Sequence, residues 1–168
     1  MIHGRARLFG DNVNTDYIIS SRRKRETLDP AALRQHLFED LDPHFAATLA
    51  PGDLIVAGKN FGCGSAMEVA VTVLTGAGMK AVLARSFSRT YYRNAVNNGL
   101  IPVACDTSLI REGDSISIDV AADGNVTVRN ETTATQIAAE WIPTLLLSVI
   151  HAGGLAPFIK EHGWNLNV

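Results

Sequence analysis

Three features of the sequence predict an α/β domain. Short apolar runs of strand length alternate with helix-length amphipathic stretches between residues 54 and 104. A glycine-rich turn, Gly58-Lys59-Asn60-Phe61-Gly62-Cys63-Gly64-Ser65, separates one such run from the helix that follows. Further along, Ser115 to Val120 and Asn125 to Arg129 flank Asp123-Gly124, the pattern of a β-hairpin. With 168 residues, 46% of them hydrophobic, the chain can bury a substantial core, and a single domain over 1–168 is expected.

The elements follow in order. Ile2 to Phe9 alternates loosely and predicts a first strand, ended by the turn residues Gly10-Asp11-Asn12. Tyr17-Ile18-Ile19 is a short apolar run and predicts a second strand. Ser20 to Arg25 contains four consecutive cations, which cannot all be buried unpaired, so an exposed loop or a loop facing an anion is expected. Asp29-Pro30 supplies an N-cap and a first-turn proline for a helix whose apolar face is Leu33, Leu37 and Phe38. His36 and His44 read as surface residues.

Pro51-Gly52-Asp53 turns the chain into the strand Leu54 to Ala57. The central helix follows, then the strand Ala81 to Ala84 and a helix opened by Ser86 and closed at Asn97-Asn98-Gly99. Arg85, Arg89 and Arg93 recur every four positions along that helix or its approach, and a solvated basic stripe is the simplest reading. Leu100 to Ala104 predicts another strand. Pro143 sets the first turn of a helix running through Val149, and Leu155 to Glu161 adds a last helical turn or short helix.

Composition excludes several classes. The net charge of −2 offers no global basic field for nucleic acid. The apolar stretch Trp141 to Ile150 is interrupted by Pro143 and is too short to span a bilayer. The first residues lack the zones of a signal peptide, so the cytoplasm is the expected compartment. Cys63 and Cys105 lie in different elements and suffice neither for a disulfide framework nor for a four-ligand metal site.

The glycine-rich turn is the place for chemistry. Ser65-Ala66-Met67-Glu68 has the Ser-x-x-Glu form of a capping box, which explains the serine and the glutamate without any catalytic role. It leaves Gly62-Cys63-Gly64 unexplained, because alternating glycines cost backbone entropy unless something approaches closely. A dinucleotide would want a third glycine where Met67 stands, and the next strand ends in Ala84-Arg85 where a ribose-binding acid would be needed. A small carboxylate could use the same backbone N–H groups.

Taken together, Phe61-Gly62-Cys63-Gly64-Ser65, the run Gly10-Asp11-Asn12-Val13-Asn14-Thr15-Asp16 and the downstream Tyr92-Arg93-Asn94-Ala95 resemble, in the same order, the small subunit of 3-isopropylmalate dehydratase, which corresponds to the swivelling domain of aconitases. The similarity runs from Gly4 to about Lys160. It implies a swivelling β/β/α domain, with parallel strands around the central helix and a hairpin outside. It further implies a two-subunit hydro-lyase, in which a large subunit carries a 4Fe-4S cluster and this chain holds no cofactor of its own. By the same resemblance Ser65 would be the catalytic base, removing the proton from the carbon beside a carboxylate of a malate-type hydroxy di-acid. Cys63 would then line the turn beside Gly62 and Gly64, since a cluster needs three or four thiolates.

The resemblance departs at two places. The family continues Gly-Ser-Ser-Arg-Glu-His, whereas this chain has Gly64-Ser65-Ala66-Met67-Glu68-Val69. The serine and arginine that help hold a substrate carboxylate are absent, and a thioether replaces a bidentate cation. The substrate-recognition loop also differs, reading Ser20-Ser21-Arg22-Arg23-Lys24-Arg25, with Arg22 aligned to the family arginine. Arg23, Lys24 or Arg25 is expected to take over anion binding, and a methyl-substituted malate is one expected substrate. A non-catalytic anion-binding or regulatory module is the alternative from another class. As a cap, Ser65 replaced by alanine would cost about 1 kcal/mol.

Overall fold

The computed structural model describes residues 1–163; residues 164–168 of the expected domain lie outside the described residues. Seven strands form one sheet: β1 (Ile2–Leu8), β2 (Leu54–Ala57), β3 (Ala81–Ala84), β4 (Ile101–Ala104), β5 (Ser115–Val120), β6 (Val126–Asn130) and β7 (Thr135–Ala138), in the spatial order β4-β3-β2-β1-β5-β6-β7. β1 to β4 are parallel, with Ala6 opposite Leu54, Ile55 opposite Val82 and Ala81 opposite Ile101. β1 is also antiparallel to β5, and β5, β6 and β7 form an outer antiparallel meander. β1 thus joins a parallel half to a hairpin half, as expected except that the outer half has a third strand, β7.

The parallel strands are apolar throughout because both faces are covered. Along β2, Ile55 and Ala57 face one core while Leu54 and Val56 face the other. Val82 and Ala84 of β3 likewise oppose Ala81 and Leu83. The first core packs α5 (Val69–Gly76) and the segments between β1 and β2. The second packs the outer strands with α7 (Thr144–His151) and α8 (Leu155–His162). Among the described residues no helix is long and apolar enough to cross a membrane.

Between β1 and β2 the sequence expectations need correction. Tyr17 to Ile19 is not a strand: α1 (Thr15–Ile18) is a single helical turn, begun by the Asn14 side chain accepting from the Asp16 N–H. That Asx cap sets the backbone before the apolar run can extend. The basic segment is not a loop either. It is α2 (Ser21–Glu26), capped by Ser20, and its three C-terminal cations sit where the helix dipole favours them. The helix begun by Pro30 is one turn, α3 (Pro30–Leu33), continued by a 3-10 turn at Arg34–His36; it ends before Phe38, whose φ is +55°. A further turn, α4 (Phe45–Thr48), precedes β2. Ser88 rather than Ser86 caps α6 (Arg89–Asn97), its hydroxyl accepting from the Tyr91 N–H at 3.2 Å.

Candidate functional site

β1, β2, β3 and β4 all end on the same side, so the segments leaving their carboxyl ends meet there. In open α/β sheets this is where ligands bind. Residues 9–16 and 58–68 are zipped together. The Asn12 N–H donates to the Lys59 carbonyl at 2.8 Å, the Gly62 N–H to Val13 at 2.8 Å and the Thr15 N–H to Cys63 at 2.9 Å. The side chain of Asp11 accepts from the Lys59 N–H, and that of Asn60 donates to Asn12. Residues 86–88 close the other flank: Ser86 Oγ accepts from the Asn60 N–H at 2.9 Å and Ser88 Oγ donates to the Gly62 carbonyl at 2.6 Å. The segments at residues 10–16 and 86–88, far apart in sequence, therefore belong to one construction around the glycine turn.

The glycines are explained by the protein itself. A Cβ on Gly62 would stand 2.1 Å from the Tyr91 ring, and one on Gly64 would stand 2.4 Å from the Asn14 carboxamide; their φ angles are +75° and +90°. What approaches this backbone is the Tyr91 ring and the Asn14 side chain, so the need for glycine does not itself indicate a ligand. Tyr91 is fully buried, with Phe61 edge-on at 5.0 Å, and its hydroxyl has no hydrogen-bond partner among the described residues. Burial drives its pKa far above the usual tyrosine value.

Ser65 is exposed on a bend, and α5 begins four residues later at Val69. The capping box is absent: Glu68 is the N-cap and caps through no side-chain bond. Ser65 is instead fixed by its carbonyl, which accepts from the Thr15 hydroxyl at 2.9 Å. Among the described residues, the N–H groups of Ser65, Ala66, Met67 and Glu68 have no acceptor in the chain. Unpaired donors therefore begin at Ser65 and run to Glu68, on an irregular turn rather than a helix end.

Met67 is 4% exposed and packs beneath α2, its sulfur 3.8 Å from Ser21 Oγ, which in turn bonds to the Asp16 carboxylate. The basic helix lies beside this contact. Arg23 is engaged within the fold, donating to Glu39 at 2.8 and 3.1 Å and to Glu26 at 3.3 Å. Its hydrogen bond to Glu39 raises its pKa, and the same bond leads the causes that hold Glu39 below the usual carboxylate range. Arg22 lies 3.9 Å from Glu39 at the surface, and Arg25 is exposed. Lys24 reaches a groove of about 310 Å³ whose walls include Leu28, Ala66, Met67 and Val69. Of the four cations singled out from the sequence, Lys24 is the one that lines the groove containing Ala66 and Met67. Leu28, 68% exposed on the same wall, was missed because a lone leucine before a helix carries no sequence signal.

Cys63 is half-buried in the turn, paired through its backbone with Asn14. Cys105 is buried, and desolvation, reinforced by Asp106, pushes its thiol up to about 12. Among the described residues no three His, Cys, Asp or Glu side chains converge to hold a metal.

Comparison with known proteins agrees with this arrangement. The model of the aconitase C-terminal domain matches residues 42–108. The chain is 43% identical over 160 residues to 3-isopropylmalate dehydratase small subunit 2 of Archaeoglobus fulgidus, covering 95% of each. It is 39% identical over 163 residues to the isopropylmalate/citramalate isomerase small subunit of Methanocaldococcus jannaschii, covering 96% of this chain and 95% of that one. The crystal structure of 3-isopropylmalate dehydratase (leuD) from the same organism superposes with a TM-score of 0.89 at 41% identity, over 96% of this chain and 94% of that one. With a near full-length match in sequence and in fold, the chain belongs to the family of 3-isopropylmalate dehydratase small subunits, aconitase-type hydro-lyase subunits that work with a large subunit.

Proposed function

We propose that Ser65 is the base of a dehydration and hydration reaction on a malate-type hydroxy di-acid. The observation that carries this reading is the presentation of Ser65: an exposed hydroxyl on a turn pinned by Thr15 and by the Cys63 and Asn14 pairing, at the carboxyl ends of the parallel strands. As an alkoxide Ser65 takes the proton from the carbon beside a carboxylate, the C–H electron pair forms the new double bond, and hydroxide leaves the neighbouring carbon. A 4Fe-4S cluster on the large subunit, when bound, supplies a Lewis acid for that leaving hydroxide. The unpaired N–H groups from Ser65 to Glu68 favour negative charge at the turn.

Lys24 is the cation we assign to a substrate carboxylate, in place of the arginine the family carries where Met67 stands. Leu28, Met67 and Val69 give the same groove an apolar wall suited to a small alkyl branch. The substrate class is therefore an alkyl-substituted malate. In the complex with the large subunit, Ser65→Ala is expected to abolish turnover. Because Ser65 does not cap α5, the stability change is expected within about 0.5 kcal/mol, not the larger loss of a cap. Turnover retained in this variant would remove the base assignment.

One observation favours a second reading. Met67 is buried against α2, so position 67 presents no charge to a ligand, as an anion-binding module without turnover would allow. Dicarboxylate binding by the intact complex with no dehydration of any alkyl malate would support that module.

A further inference from the structure

A second surface adjoins the Ser65 turn. Two hollows of about 500 and 320 Å³ meet at Ala104 and Glu140, beyond the ends of β3 and β4. Lys59 and Arg85 stand on the first, Arg89 and Arg93 on the second, over a floor that includes Phe87 and Tyr92. Arg85 lies 3.7 Å from Asp106, whereas Lys59, Arg89 and Arg93 form no ion pair among the described residues. Arg89 and Arg93 are one helical turn apart on α6, so their charges form a row along the groove. Lys59, Arg85, Arg89 and Arg93 outnumber Asp106 and Glu140, the carboxylates lining the same hollows, so the strip carries net positive charge on a chain whose net charge is −2.

The groove is joined to the Ser65 turn by covalent structure and hydrogen bonds. Ser86 and Phe87 line it, and the segment Ser86 to Ser88 holds Asn60 and Gly62 through the two serine hydroxyls. Lys59 belongs to the turn itself. A macromolecule seated here would therefore bear directly on the backbone that positions Ser65.

We propose that this groove is a docking surface for the large subunit, and that the segment seated in it is acidic, its carboxylates meeting Lys59, Arg89 and Arg93 while an apolar side chain covers Phe87 and Tyr92. Charge complementarity of this kind sets orientation and association rate. A second copy of this chain is a poorer occupant, because Glu39 in its own acidic run Glu39-Asp40-Leu41-Asp42 is already bound to Arg23 and His36. The inference rests on the existence of the large subunit and not on the chemistry of Ser65.

The test is association of the purified subunits, followed by sedimentation velocity so that it is read as mass and not as turnover. The double variant Arg89→Glu/Arg93→Glu is expected to raise the dissociation constant at least about tenfold at low salt. Wild-type affinity is expected to fall as salt rises, with a smaller fall in the variant. Arg129→Glu on the outer meander and Ser65→Ala are expected to associate as wild type does. If thermal unfolding shows that the double variant does not fold, Lys59→Glu replaces it, with the same direction of effect. Unchanged affinity in a folded charge-reversal variant, salt-independent wild-type association, or isolated small subunits that self-associate through these same residues would each overturn the proposal.

Discussion

The Thr15 hydroxyl donates to the Ser65 carbonyl at 2.9 Å, linking residues 50 apart in sequence, from a side chain only 2% exposed. Thr15 also sends its N–H to Cys63, so one residue fastens two points of the turn. Thr15→Val keeps the shape and removes only the hydroxyl, leaving a carbonyl short of its donor. We expect a stability loss of about 1 kcal/mol and a fall in kcat larger than the rise in KM, because the base is displaced while the substrate groove is not. Steady-state kinetics of the reconstituted enzyme, beside urea unfolding of the subunit, check both. A change confined to KM would show that the bond does not position Ser65.

Tyr91 offers the opposite case, a polar group with nothing to bind. Its ring is needed, since it packs against Phe61 and against the backbone of Gly62, but its buried hydroxyl has no partner among the described residues. Tyr91→Phe is therefore expected to stabilise the fold by up to about 1 kcal/mol, the desolvation cost of an unpaired hydroxyl. The midpoint of urea denaturation should rise with the slope unchanged. Destabilisation would reveal a bound water as the missing partner.

The strands from residue 54 to 104 were legible because they are buried on both faces and read as plain apolar runs; their bounds agree with the structure to within a residue. Residues 15–26 were not, because Asn14 and Ser20 cap helices of four and six residues, too short for periodicity to announce. Strand β7 was missed for a related reason: Thr135 to Ala138 alternates with too few apolar residues to stand out, and pairing with β6 decides it. Within the site, the run at residues 10–16 and the glycine turn are brought together, but the capping box pointed to a helix start three residues before the one observed. The reach of Lys24 and the burial of Met67 depend on how α2 lies over the turn, which is tertiary and invisible locally.

Asp53, 4% exposed, receives Arg5 at 2.8 and 3.1 Å, Arg7 at 3.2 Å and the Ala50 N–H at 3.0 Å. Desolvation is the largest single influence and raises its pKa, but the bonds from Arg5, Ala50 and Arg7 together outweigh it and leave the carboxyl below its ordinary value. A carboxyl depressed in the folded state stabilises the fold at pH values above its unfolded pKa, about 3.9. That contribution is lost as the pH falls through the lower, folded value. Asp53→Asn is expected to cost about 2 kcal/mol near neutral pH, less than for a fully enclosed pair because Arg5 is half-exposed. Unfolding midpoints measured between about pH 2 and pH 7 should fall less steeply for the variant at the acid end. Parallel curves would place the acid sensitivity elsewhere.

Placing at position 67 the arginine expected from the sequence resemblance tests how the groove is built. Met67 fills space beneath α2 with its sulfur against Ser21, whose hydroxyl is already bound to Asp16. A guanidinium there must either stay buried, pairing with Asp16 at the expense of Ser21, or lift α2 to reach solvent. Both routes lose apolar contact and disturb the helix that carries Lys24. Met67→Arg is therefore expected to destabilise the subunit by about 2 kcal/mol and to lower kcat/KM for an alkyl malate, although it adds a cation near the proposed carboxylate site. Thermal unfolding and steady-state kinetics of the complex give the two readouts. A folded variant with raised kcat/KM would mean that the groove accepts an arginine clamp as readily as Lys24, and that Met67 is not what selects this arrangement.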